Sequence, residues 1–279
     1  MGSLIQVIYN KFCLYLVCFL GLHPTLTFCQ NYLINYKLSI HSDSTNPNLV
    51  FHEKAILFIE NGSKSYFFTE NFAKKDSILS LIGGGKVSAF DIVGNPSNLN
   101  HTKLNQHVTK VYSTNEVEIF ENILMTNYLY KFSIQFNWKI QSDSAIINGY
   151  RCQKAIGFFG GRIYEAWFTR EIPISDGPYV FCGLPGLIVE LYDTQKFYTF
   201  TFLSLGKQES YTILISPYNV SKAVSTTRQQ AFAVRERLRK EPMEVLKMEG
   251  IQIIETPELE QIRKLKQKSD NNPIELRID

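Results

Sequence analysis

Two adjacent glycines, Gly160 and Gly161, lie between the strand-forming runs Cys152 to Phe159 and Arg162 to Thr169. A two-residue connection of this kind takes a primed turn, whose central residues need positive φ. It therefore fixes a hairpin register: Phe159 opposes Arg162, Ile156 opposes Glu165, Lys154 opposes Trp167 and Cys152 opposes Thr169. Strand side chains alternate between faces. Ala155, Phe159, Tyr164, Ala166 and Phe168 then share the more apolar face, which is expected to meet the core. Lys154, Glu165 and Trp167 share the other. An indole beside a cation and an acid is a candidate recognition surface. More commonly, the same three residues make a cross-strand ion pair beside a tryptophan packed under a loop.

Glu171 to Gly186 follows as a stiff connection. Ile172-Pro173 is held extended, because the residue before proline avoids the helical region. Ser175-Asp176-Gly177-Pro178 has the makeup of a turn, and Leu184-Pro185-Gly186-Leu187 that of a type II turn with positive φ at Gly186. Gly183, Pro185 and Gly186 thus join Gly160 and Gly161 as structural turn residues. A segment so restricted loses little entropy on ordering. It could present Ile174, Tyr179, Phe181 and Leu184 to a partner; more commonly such residues roof the core. Tyr179 and Leu184 complete, with Lys154, Glu165 and Trp167, the candidate ligand- or partner-binding set.

Strand signals dominate up to about residue 215. Tyr32 to Ile40 alternates apolar and polar residues, and Asn61-Gly62 separates two further runs as a hairpin turn. Val108 to Tyr112 and Glu116 to Phe120 flank another turn. Phe132 to Ile140 alternates over nine positions and predicts a half-buried strand. Leu187 to Tyr192 and Phe197 to Leu205 predict one more antiparallel pair. Lys74 to Lys103, rich in Gly, Ser and Asn, predicts a long loop. Beyond residue 220 the pattern turns helical: Thr226 to Lys240 holds helix formers, and Thr256-Pro257-Glu258 is a helix start. The Lys/Arg run there predicts a solvated helix face. The expected fold is mainly β (α+β): a twisted antiparallel sheet, a half-barrel in its most curved form, with C-terminal helices from about residue 222 over the concave face or one edge.

Met1 to Cys29 has the layout of a secretory signal peptide, with an apolar run from Phe12 to Leu22 too short for a membrane span. Phe28 argues against a lipid anchor on Cys29. Residues 30–279 are then expected to form a single exported domain, periplasmic or secreted. Its two cysteines, Cys152 and Cys182, are expected to form a disulfide, two buried thiols being the alternative. A formal net charge of +3 gives no case for a nucleic-acid partner.

Gly149-Tyr150-Arg151-Cys152-Gln153-Lys154-Ala155, Tyr164-Glu165-Ala166-Trp167, Ile172-Pro173-Ile174, Gly177-Pro178 and the hexamer Gly183 to Ile188 together resemble the GLPGLI family. Asn272-Pro273-Ile274-Glu275-Leu276 resembles that family's closing motif. The resemblance implies an exported protein of Gram-negative bacteria, often encoded near TonB-dependent outer-membrane transport components. It implies no particular reaction.

Catalytic signatures are missing from the sequence. His52-Glu53 begins a zinc-protease pattern, but Ile56 stands where the second histidine is required. No Gly-x-Ser-x-Gly elbow is present, and no cofactor or metal is expected. The expected function is a non-catalytic periplasmic binding or accessory protein. Its partner would be an envelope protein, a peptide or an apolar ligand, with a TonB-dependent transporter as one candidate. The alternative is an envelope hydrolase acting on peptide, ester or glycan.

Overall fold

A computed structural model describes residues 30–86, 102–124, 126–209, 215–248, 250 and 256–278. The expected signal peptide lies outside the described residues, as does most of the glycine- and asparagine-rich part of the expected loop. The strands are β1 (Tyr32–Ile40), β2 (Phe51–Glu60), β3 (Lys64–Thr69), β4 (Gln106–Val111), β5 (Glu116–Ile123), β6 (Thr126–Ser133), β7 (Lys139–Ile147), β8 (Tyr150–Phe159), β9 (Arg162–Thr169), β10 (Leu187–Asp193), β11 (Tyr198–Lys207) and β12 (Val224–Ser225). The helices are α1 (Glu70–Gly83), α2 (Pro217–Ser221), α3 (Arg228–Lys240), α4 (Pro242–Met248) and α5 (Pro257–Ser269).

All 12 strands join one open sheet in the order β12-β6-β5-β4-β3-β2-β1-β11-β10-β9-β8-β7. Among the described residues only the β12–β6 pairing is parallel. Two meanders, β1 to β6 and β7 to β11, are joined where β1 lies beside β11. The chain passes from β6 to β7 in residues 134–138, yet β6 is second and β7 last in the sheet order. A flat sheet would set these strands about 48 Å apart, at roughly 4.8 Å per strand. The six Cα steps from Ser133 to Lys139 reach at most about 22 Å. The sheet must therefore curl strongly, as a half-barrel does. Consistent with this, the Arg228 guanidinium stands over both Phe132 of β6 and Phe159 of β8, at 4.6 and 4.7 Å from their ring centres.

The inner face of the curl holds the main core. Tyr36, Phe67, Tyr164, Phe168 and Phe200 pack there against Tyr179, Val180 and Phe181 of the connection after β9. On the outer face α1 covers Ile56, Phe68 and Phe120 with its own Phe72 and Ala73.

Three sequence expectations change. Lys74 to Gly83, expected to begin a loop, belongs to the helix Glu70–Gly83; the Thr69 hydroxyl caps it by accepting from Phe72 N at 3.1 Å. Because α1 lies between β3 and β4, the helices are minor and are not confined to the C-terminal end. Phe132 to Ile140 is not one strand. β6 ends at Ser133, and Phe136 and Trp138 cross the inner side, where Phe136 stacks on Phe181 at 5.1 Å. The Trp138 indole donates to Cys182 O at 2.8 Å. Alternating contacts along a crossing segment produced the same pattern as a strand.

Candidate functional site

The β8–β9 hairpin has the register set by its glycine pair. Phe159 pairs Arg162, Ile156 pairs Glu165 and Lys154 pairs Trp167. Gly160 and Gly161 take φ of 59° and 80°. Lys154 and Glu165 form an ion pair at 2.8 Å, Tyr192 OH donates to Glu165 at 3.0 Å, and Trp167 Nε1 donates to Tyr192 OH at 3.3 Å. The face is a closed hydrogen-bonded network, with Trp167 half-buried. The Lys154 bond holds the Glu165 carboxyl below the usual range.

The connection after β9 fills the inner face instead of presenting a surface. Tyr179 and Leu184 are 0% and 1% exposed, so neither can meet a partner directly. The segment is pinned by a buried ion pair between Lys110 of β4 and Asp176. Lys110 Nζ also donates to Gly177 O at 2.7 Å, and Tyr112 OH donates to Asp176 at 2.5 Å. The type II turn is corrected. Gly186 N donates to Leu184 O at 2.8 Å, a tighter turn around Pro185, while Leu187 N donates to Ile172 O at 3.0 Å. Glycine is required at 186 because φ is 147° and a Cβ would collide with the Thr169 carbonyl.

The expected disulfide is not formed in this structure, where Cys152 and Cys182 are free. Cys152 lies on β8, where its thiol donates to Tyr150 O at 3.4 Å, whereas Cys182 bridges to Asp176 inside the connection. Burial raises the pKa of both thiols, which makes them poor nucleophiles.

The closing motif Asn272 to Leu276 is bound into the open end of the curl. Arg162, on the core face of β9 and 5% exposed, pairs with Asp193 at 3.1 Å. It also donates to Asn272 Oδ1 at 2.5 Å, to Pro273 O at 2.6 Å and to Ile274 O at 3.2 Å. Leu276 N donates to Gly160 O at 2.7 Å, and Tyr179 OH donates to Glu275 at 3.1 Å. The hairpin turn and the tail, far apart in sequence, are one structural unit.

Above this tail, α3, α4 and α5 stand off from the ends of β4 and β5 and leave a cleft of about 790 Å³. Leu238, Met243, Leu246, Leu259 and Ile274 supply apolar walls. Its floor is polar: Gln106, Glu121, Asn122, Arg235 and Glu275. Arg235 reaches Glu121 at 2.9 Å and Glu275 at 2.8 Å. Burial disfavours the Arg235 charge, but Glu121, Tyr130 and Glu275 outweigh it and raise its pKa well above the ordinary value. Lys75, from α1, stands at one side, and burial lowers its pKa. A more open depression of about 650 Å³ lies on the β7–β9 side beside Arg151, Arg170 and Glu171, with Cys152 and Phe168 as its apolar lining. The cleft therefore suits an apolar ligand with a polar end far better.

The sequence analysis named none of the cleft residues as a site. Arg228 and Arg235, seven residues apart, share one helix face. Both are paired to Glu275, so the helical Lys/Arg run is not wholly solvated. The usable signal was the acid in the closing motif together with that arginine spacing. No described helix is long and apolar enough to cross a membrane.

A family described as a protein of unknown function (Porph_ging) matches residues 161–190, which is the second strand of the hairpin, the connection and part of β10. No curated protein matches the chain. Among solved structures, PNGF-II in a C2 space group is similar at 15% identity and a TM-score of 0.50, covering 75% of this chain and 33% of that one. PNGF-II in a P21 space group gives 18% identity, a TM-score of 0.48 and coverage of 75% and 34%. An outer membrane lipoprotein-sorting protein domain from Vibrio parahaemolyticus gives 8% identity and a TM-score of 0.26, covering 69% of this chain and 91% of that one. This chain spans about a third of the length of the PNGF-II chain, and the likeness is one of fold.

Proposed function

We propose that this protein is an exported, non-catalytic binding or accessory protein of the cell envelope, and that its ligand site is the cleft between the sheet and helices α3 to α5. In this reading residues 30–279 act as one unit, and a TonB-dependent transporter is the class of partner suggested by the GLPGLI resemblance. The observation that carries the reading is the cleft itself: about 790 Å³ with apolar walls over a floor of buried polar groups. That size and layout are those of a small-ligand or peptide site. The test uses the neutral apolar fluorophore N-phenyl-1-naphthylamine. Saturable binding is expected for the native chain, and Met243→Trp, which fills the cleft, should abolish it. Absence of saturable binding, or binding unchanged in the filled variant, would reject the site. Hydrolytic turnover lost on substituting Glu121 would favour the hydrolase reading instead.

A further inference from the structure

We infer, building on that binding reading, that the cleft receives the C-terminal end of an apolar peptide. On the Lys75 side of the cleft one buried side chain has a carbonyl oxygen without a partner. Asn122 is 8% exposed and spends its Nδ2 on Asn127 Oδ1 at 3.0 Å, which leaves Oδ1 unsatisfied. Buried acceptors of this kind are uncommon, and each calls for a donor. Asn122 stands opposite Asn105, whose carbonyl accepts from Asn122 N at 3.2 Å, so these two side chains share one face of the sheet.

The neighbouring cation is also uncompensated. Lys75 Nζ donates to Asn105 Oδ1 at 2.8 Å, and among the described residues no carboxylate pairs with it. Other cations lining the cleft do have acids: Lys103 has Asp270 at 2.5 Å and Arg239 has Glu236 at 2.7 Å. The cleft thus asks for an N–H donor at Asn122 and an anion at Lys75, both beside Asn105, together with apolar groups for its walls. A peptide terminus supplies all three: a backbone amide for Asn122, a free carboxylate for Lys75, and aliphatic side chains for Leu238, Met243 and Leu246. A fatty acid would supply the anion and the apolar tail but no N–H group.

The test is competition against bound N-phenyl-1-naphthylamine by three compounds: an N-acetylated Ala/Leu pentapeptide with a free carboxylate, the same peptide as its C-terminal amide, and dodecanoate. The free-acid peptide should displace the probe at concentrations at least tenfold lower than either competitor. Lys75→Met should remove the preference for acid over amide, and Lys75→Arg should keep it. Equal competition by acid and amide, or a preference that survives Lys75→Met, overturns the proposal and leaves the binding reading in place. Dodecanoate competing as well as the free-acid peptide replaces the peptide by a lipid and equally overturns it. A probe that never binds overturns the binding reading, and this proposal with it.

Discussion

His107 is 1% exposed on β4, stacked on Phe68 at 5.4 Å, with neither ring nitrogen hydrogen-bonded. Burial pushes its pKa down from 6.5 to about 3. The folded protein then stays unprotonated at His107 where the unfolded chain takes up a proton. Stability from this residue is complete above pH 6.5 and is lost as pH falls toward 3, by up to about 1.4 kcal/mol per pH unit. Urea midpoints between pH 7 and pH 5 should fall more steeply for the native chain than for His107→Phe; parallel curves would refute this. Gly186 gives a second test. Gly186→Val should destabilise more than Pro185→Ala, because the valine Cβ would meet the Thr169 carbonyl at a strained φ of 147°. Strain of this kind is about 1 to 3 kcal/mol before the clash is added, against less than about 1 kcal/mol for the lost proline restriction. Equal melting midpoints for the two variants would contradict it.

At the scale of elements, hairpins were the most legible part of the chain, because turn chemistry is local. Gly160-Gly161 and Asn61-Gly62 each fixed a connection that the structure reproduces. Asn148-Gly149 carries the same signal, with φ of 50° and 84°, and joins β7 to β8. Trp138 packs against Gly157, a contact set by the curl of the sheet and invisible to periodicity. The α1 helix shows no clear apolar stripe because its buried face includes Asp76, which accepts from Ser216 N at 2.6 Å and from the Asn219 amide at 2.6 Å. An acid that counts as surface in a pattern is here the point where α2 is fastened to α1. The β8–β9 network yields its own prediction. Trp167 is half-buried and bonded, so Trp167→Ala should cost roughly 2 kcal/mol, below the 3 to 5 typical of a fully buried aromatic. A thermal midpoint that does not move, together with weakened capture of an envelope partner, would assign that face to recognition.

For the whole molecule, the decisive feature is that a tail at one end of the sequence closes a sheet whose curl is set by a five-residue crossing near its middle. Neither part is set by local pattern: the crossing packs on Phe159 and Phe181, and the tail on Arg162, all distant in sequence. Arg162 shows the consequence. Its place opposite Phe159 put it on the core face, and a buried arginine there is tolerable only because Asp193, Asn272, Pro273 and Ile274 satisfy its guanidinium. Arg162→Leu should therefore destabilise by about 3 to 5 kcal/mol, since it strands the Asp193 carboxylate in the core. Removing residues 272–279 should be damaging for an overlapping reason, as it takes away three of the same acceptors and the Glu275 partner of Arg228 and Arg235. If arginine and tail act as one unit, the two losses cannot add. In a double-mutant cycle read by urea unfolding, Arg162→Leu in the shortened chain should cost at least about 1 kcal/mol less than in the full chain. Strict additivity would mean that the tail merely lies against the sheet and that the curl is held without it.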